Sequence, residues 1–226
     1  MPKEELARLN GQTVKAIHYS GSPFQVMTGT AKVGMMAGGL LGGGFAALQT
    51  ESTGDEMRKD YSLDDPILRV KAHFLTEVRT SLRLDTIDSV QTLQSSSDMD
   101  DLRAAFSNGT LFDFKSTNWH LTDYPMGYYR IEYRARARLI RLDDSKVLWQ
   151  GACNFAGKEP TVSMTLDDFK ANNAPILKQS LNEAADACVQ ELLSQFLGKR
   201  EVTVSKPVVF ETSDALAKVS GNWVNR

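Results

Sequence analysis

The chain has 226 residues, 42% of them hydrophobic and 24% charged, the balance of a globular protein long enough to bury a substantial core. Its formal net charge of −2 supplies no global field toward nucleic acid or an anionic membrane, so any basic surface has to be local. The three histidines and two cysteines stand apart, which excludes the CxxC and HExxH patterns of zinc sites, and no metal or other cofactor is expected.

In chain order, "QTVKAIHY" at 12–19 sets Val14, Ala16 and His18 against Lys15, Ile17 and Tyr19 and predicts a strand. "GSPFQVMTGT" then breaks the pattern with Gly and Pro. The run "VGMMAGGLLGGGFAALQ" at 33–49 follows, with six glycines and no charge. A phosphate loop needs a lysine after its glycines, and none is present. The GxGxxA match from Gly42 to Ala47 has no strong strand before it and no alternating β-α series after it. Spacing by four fits better: on a helix, Gly34, Gly38, Gly42 and Ala46 make one row and Gly39, Gly43 and Ala47 another. Small residues so placed let a second backbone approach closely. Glycine costs about 1 kcal/mol against alanine in a helix interior, so such a helix or hairpin needs protein or lipid packed on it. From Val33 to Thr50 it would span roughly 27 Å, marginal for a bilayer. Packing on this fold or its copies, membrane contact and a plain loop stay open at this level.

"TESTGDEMRKD" reads as a polar connector. "DDPILRVKAHF" opens the clearest helix of the first half: Asp65 can cap, and Pro66 suits the first turn. Val70, Phe74, Val78 and Leu82 recur at helical spacing, with Lys71, Glu77 and Arg79 toward water. "DTIDSVQTL" is a short strand candidate, and "SSSDMDDLRAAF" a brief helix with Leu102 and Phe106 on one side. "GTLFDFKSTNWHL", "YYRIEYRARARLIRL" and "VLWQGACNFAG" predict three strands, the last two joined by a tight turn at Asp143-Asp144-Ser145. A long helix from Ala174 to Leu197 carries Leu177, Leu181, Ala184, Cys188, Leu192 and Phe196 on its apolar stripe and stops at Gly198. Residues 199–226 read as a C-terminal extension with an edge strand and a short helix. The expected class is α+β: a mainly antiparallel sheet with helices packed on one face, in a single domain of residues 1–198 that includes the glycine-rich helical or hairpin segment.

Period two places Arg130, Glu132, Arg134, Arg136 and Arg138 on one strand face, and Tyr129, Ile131, Tyr133, Ala135, Ala137 and Leu139 on the core face. The arginine ladder is either solvated and paired with neighbouring acids or a surface for phosphates, anionic glycans or an acidic partner. Nucleic acid is disfavoured, because Tyr129 and Tyr133 point away from the arginines. Cys153 shares a strand face with Val147, Trp149 and Phe155, and Cys188 lies on the helix stripe. If the helix covers the sheet, the pair can bridge in an oxidising compartment or stay as two buried thiols.

Nothing marks an enzyme: GxSxG and a Cys-His grouping are both absent. The pairs Asp64-Asp65, Asp100-Asp101, Asp143-Asp144 and Asp167-Asp168 sit at caps or turns, and His18 and His120 read as structural.

The start "LARLNGQTVKAIHY", the glycine segment, "DDPILRVKAHF" and "LNEAADACVQELLSQFL" together resemble proteobacterial envelope lipoproteins with a glycine zipper. "ARLIRLDDSKVLWQGACNF" with the long helix resembles the β-β-α core of peptidoglycan-synthase-activator and curli-secretion lipoproteins. The resemblance implies a periplasmic, non-enzymatic protein held at the outer membrane by a lipid on a removed lipobox cysteine. If Met1 is the native start, the expected location is cytoplasmic, since no apolar leader follows it. Two functions are therefore expected. The first is envelope binding or assembly, with Gly34, Gly38, Gly39, Gly42, Gly43 and Ala46 mediating homo-oligomer, partner or membrane contact. The second is an anionic-ligand module using Arg130, Arg134, Arg136 and Arg138.

Overall fold

The computed structural model describes residues 9, 12–19, 21–28, 53–84, 86–90, 94–124, 128–157 and 164–198. The glycine-rich run and the 199–226 extension lie outside these residues, and with them the expectations placed there.

The strands are β1 (Thr13–His18), β2 (Gln25–Met27), β3 (Thr86–Ser89), β4 (Thr110–Tyr124), β5 (Tyr128–Arg141) and β6 (Lys146–Ala156). The helices are α1 (53–60), α2 (Ile67–Leu82), α3 (Met99–Phe106), α4 (Leu166–Lys170) and α5 (Pro175–Leu197). The class is α+β, with one sheet ordered β3-β1-β4-β5-β6 and β2 paired to β4. Its two long ladders, β4–β5 and β5–β6, are antiparallel, as a meander requires. β1 lies parallel to both β3 and β4, and β2 parallel to β4, so the sheet is mixed.

The main core lies between the sheet and the two long helices. Phe74 of α2 stands at its centre, with ring centroids 5.7 Å from Phe112, 5.5 Å from Phe114, 5.9 Å from Trp149 and 5.6 Å from Phe196. The expected α5 stripe is buried throughout. Arg69 ties α2 to α5 with two bonds to Asp186, at 2.7 and 2.9 Å. The long helices share one face, as their stripes require. The short α3 adds a small cluster on the other, where Leu102 meets Ile17, Tyr19, Leu111, Ile140 and Leu142. β1 is thus buried on both faces, which its sequence alternation does not reveal.

Three sequence expectations need correction, and two short elements go beyond what the sequence pattern predicts. Lys71, expected in water, is 4% exposed because its α2 position faces β1, where its Nζ lies 3.0 Å from His18 Nδ1 and donates to Val90 O at 3.1 Å. Val147 does not share the Cys153 face: a register shift between Leu139 and Ile140 sets Val147 opposite Ile140, on the α3 side, and leaves it 40% exposed. The "connector" holds helix α1, whose Met57 is buried; Gly54 lets the helix backbone rest on Phe24 O. The stretch after the meander holds α4, started by a capping box in which Asp168 N donates to Thr165 Oγ1 at 3.3 Å and Thr165 N to Asp168 Oδ2 at 2.7 Å. The short β2 also falls where only a break was read.

Candidate functional site

Cross-strand partners share a sheet face, so the β4–β5 register decides what surrounds each arginine. It sets Asp113 opposite Arg138, Lys115 opposite Arg136, Asn118 opposite Arg134, His120 opposite Glu132 and Thr122 opposite Arg130. The arginines therefore meet a second polar row on β4 rather than bare solvent.

At the α3 end, Asp113 has no exposed surface. It accepts from Tyr19 Oη at 2.8 Å and from Arg138 Nε at 3.1 and 3.0 Å, and Arg138 Nη2 bonds it as well. Arg138 Nη2 also reaches Ser97 O at 3.0 Å. Burial alone would lower the Arg138 pKa, but the Asp113 hydrogen bond and charge outweigh it and hold the guanidinium firmly charged. Burial and the neighbouring Asp113 push the Tyr19 phenol well above its usual value.

At the hairpin end, the Arg130 guanidinium lies 3.7 Å from the Tyr124 ring centroid and bonds the Tyr124 hydroxyl, which in turn donates to Glu132. His120 Nε2 is 3.2 Å from Glu132, and its Nδ1 is 3.0 Å from Asn118 Oδ1. Burial would raise the Glu132 carboxyl, but Tyr124, His120 and Arg130 together bring it below the usual range. Arg130 and Glu132 thus cancel locally.

Between these two ends lie Lys115, Arg134 and Arg136. Lys115 Nζ sits 5.7 Å from the Tyr19 ring centroid, and Arg134 Nε donates to Asn154 Oδ1 at 3.1 Å. Arg136 Nη2 is 3.7 Å from Asp113 Oδ2, too long for a hydrogen bond, and it is buried without an acceptor. Asp113 thus has two guanidinium groups beside it, Arg138 and Arg136, and it already serves Arg138 and Tyr19, while Lys115 and Arg134 add further positive charge along the same face. Sequence reading found the arginines but missed Asp113, Lys115 and Tyr19. Their signal was the phase of "LFDFK", which sets Asp113 and Lys115 against the two buried phenylalanines.

A second polar site lies on the helix side, where a cavity of about 330 Å³ is lined by His18, Tyr19, Gly21, Ser22, Arg58, Asp64, Asp65, Ile67, Leu68 and Trp119. Asp65 Oδ1 accepts from Ile67 N at 2.9 Å, the expected capping role, and from Ser116 Oγ at 2.5 Å, while Ser116 Oγ is 2.9 Å from Tyr133 Oη. Its other oxygen has no partner and packs against Gly21, where a Cβ would overlap it. Burial therefore pushes the Asp65 carboxyl above its usual range, against Ser116, Ile67 and Arg58. Burial, then Lys71, lowers the His18 pKa, and burial lowers that of Lys71.

Cys153 and Cys188 are joined by a disulfide across β6 and α5, with Cα atoms 5.3 Å apart. Among the described residues no group of side chains can hold a metal ion, and no helix is long and apolar enough to cross a membrane.

No family model matches the chain, and no curated protein matches it. Solved structures with some similarity include the PelC dodecamer of Paraburkholderia phytofirmans, 9% identical with a TM-score of 0.32, covering 80% of this chain and 86% of that one. The hypothetical protein CT253 of Chlamydia trachomatis is 7% identical with a TM-score of 0.37 over 83% and 97%. The lipoprotein GNA1162 of Neisseria meningitidis is 11% identical with a TM-score of 0.25 over 77% and 98%. At such identities and TM-scores these neighbours lend the chain no function.

Proposed function

We propose that this chain is a non-enzymatic protein of the bacterial envelope that binds an anionic ligand or polymer on the open sheet face, through Lys115, Arg134 and Arg136. The observation that carries the reading is that Asp113 is already committed to Arg138 and Tyr19 and stands 3.7 Å from Arg136 Nη2, so it leaves the partly exposed Arg136 without a hydrogen-bonded acid. The part of the Arg136 side chain that reaches the surface can give a charge-assisted bond to a phosphate, sulfate or carboxylate laid along the strand. Lys115 across the ladder and Arg134 two residues along offer further charge at strand spacing, which suits a repeating polyanion. The Cys153–Cys188 bond supports an oxidising compartment, the periplasm, where such a bridge persists.

The test is binding of fluorescent polyphosphate and of polygalacturonate to wild type and to Arg134→Glu/Arg136→Glu. Binding that weakens with salt and falls at least about tenfold in the variant supports the reading. Absence of binding to both polymers, or equal binding by the variant, overturns it. A second reading rests on the spacing of Gly34, Gly38, Gly42 and Ala46: self-association or membrane contact through residues 33–49. Light scattering on Gly38→Leu and Gly42→Leu, with and without liposomes, tests it, and polyanion binding by the same variants separates it from the first.

A further inference from the structure

Among the described residues β6 ends the sheet, paired to β5 on one side only. At Ala152 and Asn154 its outward backbone groups are covered by side chains of α5. The Gln195 amide accepts from Ala152 N at 3.1 Å and donates to Ala152 O at 2.8 Å, the two bonds a neighbouring strand would make with that residue. Glu191 accepts from Asn154 N at 3.3 Å with one oxygen and from Gln195 Nε2 at 3.3 Å with the other.

Three features build this arrangement. Glu191 and Gln195 follow Cys188 at helical spacing, so all three lie along one side of α5. The disulfide fastens that side to β6 at Cys153, midway between Ala152 and Asn154. Gly151 lacks the Cβ that would come within 2.8 Å of Gln195 Oε1.

The strand beneath is a template for its own kind. Residues 147–156 carry no charge and no proline, and Gln150, Ala152 and Asn154 are exposed. Unprotected edges of this composition pair with other strands, which natural proteins prevent by charges, proline or a cover. Two copies meeting antiparallel about a two-fold axis would set these uncharged residues opposite one another, with no like-charge repulsion. We propose that Glu191 and Gln195 are a side-chain lock on the β6 edge, and that the edge beneath is a docking surface for β6 of a second copy, entered when the lock swings off.

The experiment compares wild type with Glu191→Ala/Gln195→Ala, both exposed positions, in the disulfide-bonded protein. Gln195→Glu, which keeps the size and loses the donor, is the second variant. In dilute solution the Ala152 and Asn154 amides should exchange at least about tenfold faster in the double variant. As concentration rises, its mass by light scattering should double relative to wild type. Adding Gln150→Lys with Asn154→Lys, which opposes like charges across the new ladder whether its axis lies at residue 150, 152 or 154, should restore the wild-type mass. Unchanged exchange overturns the lock. Faster exchange with the wild-type mass at every concentration overturns the docking, and doubling that survives Gln150→Lys/Asn154→Lys overturns β6 as the interface.

Discussion

Arg138 lays its guanidinium along the carboxylate of Asp113, directly across the β4–β5 ladder, and Asp113 has no exposed surface at all. A buried carboxylate of this kind is tolerable only while its partners remain. Asp113→Ala strands Arg138 and the Tyr19 hydroxyl, and the expected cost is about 3–5 kcal/mol. Replacing both charges, as Asp113→Leu with Arg138→Met, should cost clearly less than the sum of the single changes. Urea unfolding of the four-member cycle measures the coupling; additive single costs would show that the pair is not a unit.

The Cys153–Cys188 bridge closes a loop with a sequence separation of 35. Chain entropy alone gives such a closure about 4 kcal/mol of stability. Cys153→Ala/Cys188→Ala should lose most of that in urea unfolding while keeping its far-ultraviolet circular dichroism. Because the bridge positions Glu191 and Gln195, the Ala152 amide should also exchange faster in this variant.

His18 and Asp65 give stability opposite pH dependences. The folded His18 pKa lies below its usual 6.5, so its contribution is fully present above 6.5 and is lost as the pH falls through the depressed value. The folded Asp65 pKa lies above 3.8, so its contribution is fully present below 3.8 and is lost as the pH rises through the raised value. In Tm against pH, His18→Gln should flatten the decline on acidification below 6.5, the usual His value. Asp65→Asn should flatten the decline on raising the pH above 3.8. A variant with the wild-type profile would remove that residue from the account.

Glycine to alanine inside a helix ordinarily stabilises by about 1 kcal/mol. Gly54 should reverse that sign, because its Cβ would overlap the Phe24 carbonyl oxygen. The expected result is a lower Tm for Gly54→Ala, and an increase would mean that α1 sits further from the 21–28 segment.

Much of the site's framework was legible from local pattern. Period two on "YYRIEYRARARLIRL" sorted the arginines from the core residues, because every side chain on a strand must take one face or the other. The α5 stripe and the Gly198 stop followed in the same way from helical spacing. The Thr165–Asp168 capping box has a local signature too, a threonine three residues before an acid at a helix start. Lys71 was not legible: its helix position marks it as polar, and only the packing of α2 on β1 buries it.

What the sequence by itself determined is the alternation, the turns and the stripes, since each depends on neighbours a few residues apart. Tertiary structure alone decided that Asp113 meets Arg138 from 25 positions away, that Ser116 meets Asp65, and that Gln195 lies across the edge at Ala152. Those meetings depend on register and helix placement, which are settled by burial of the whole core and carry no signal in any short stretch of chain.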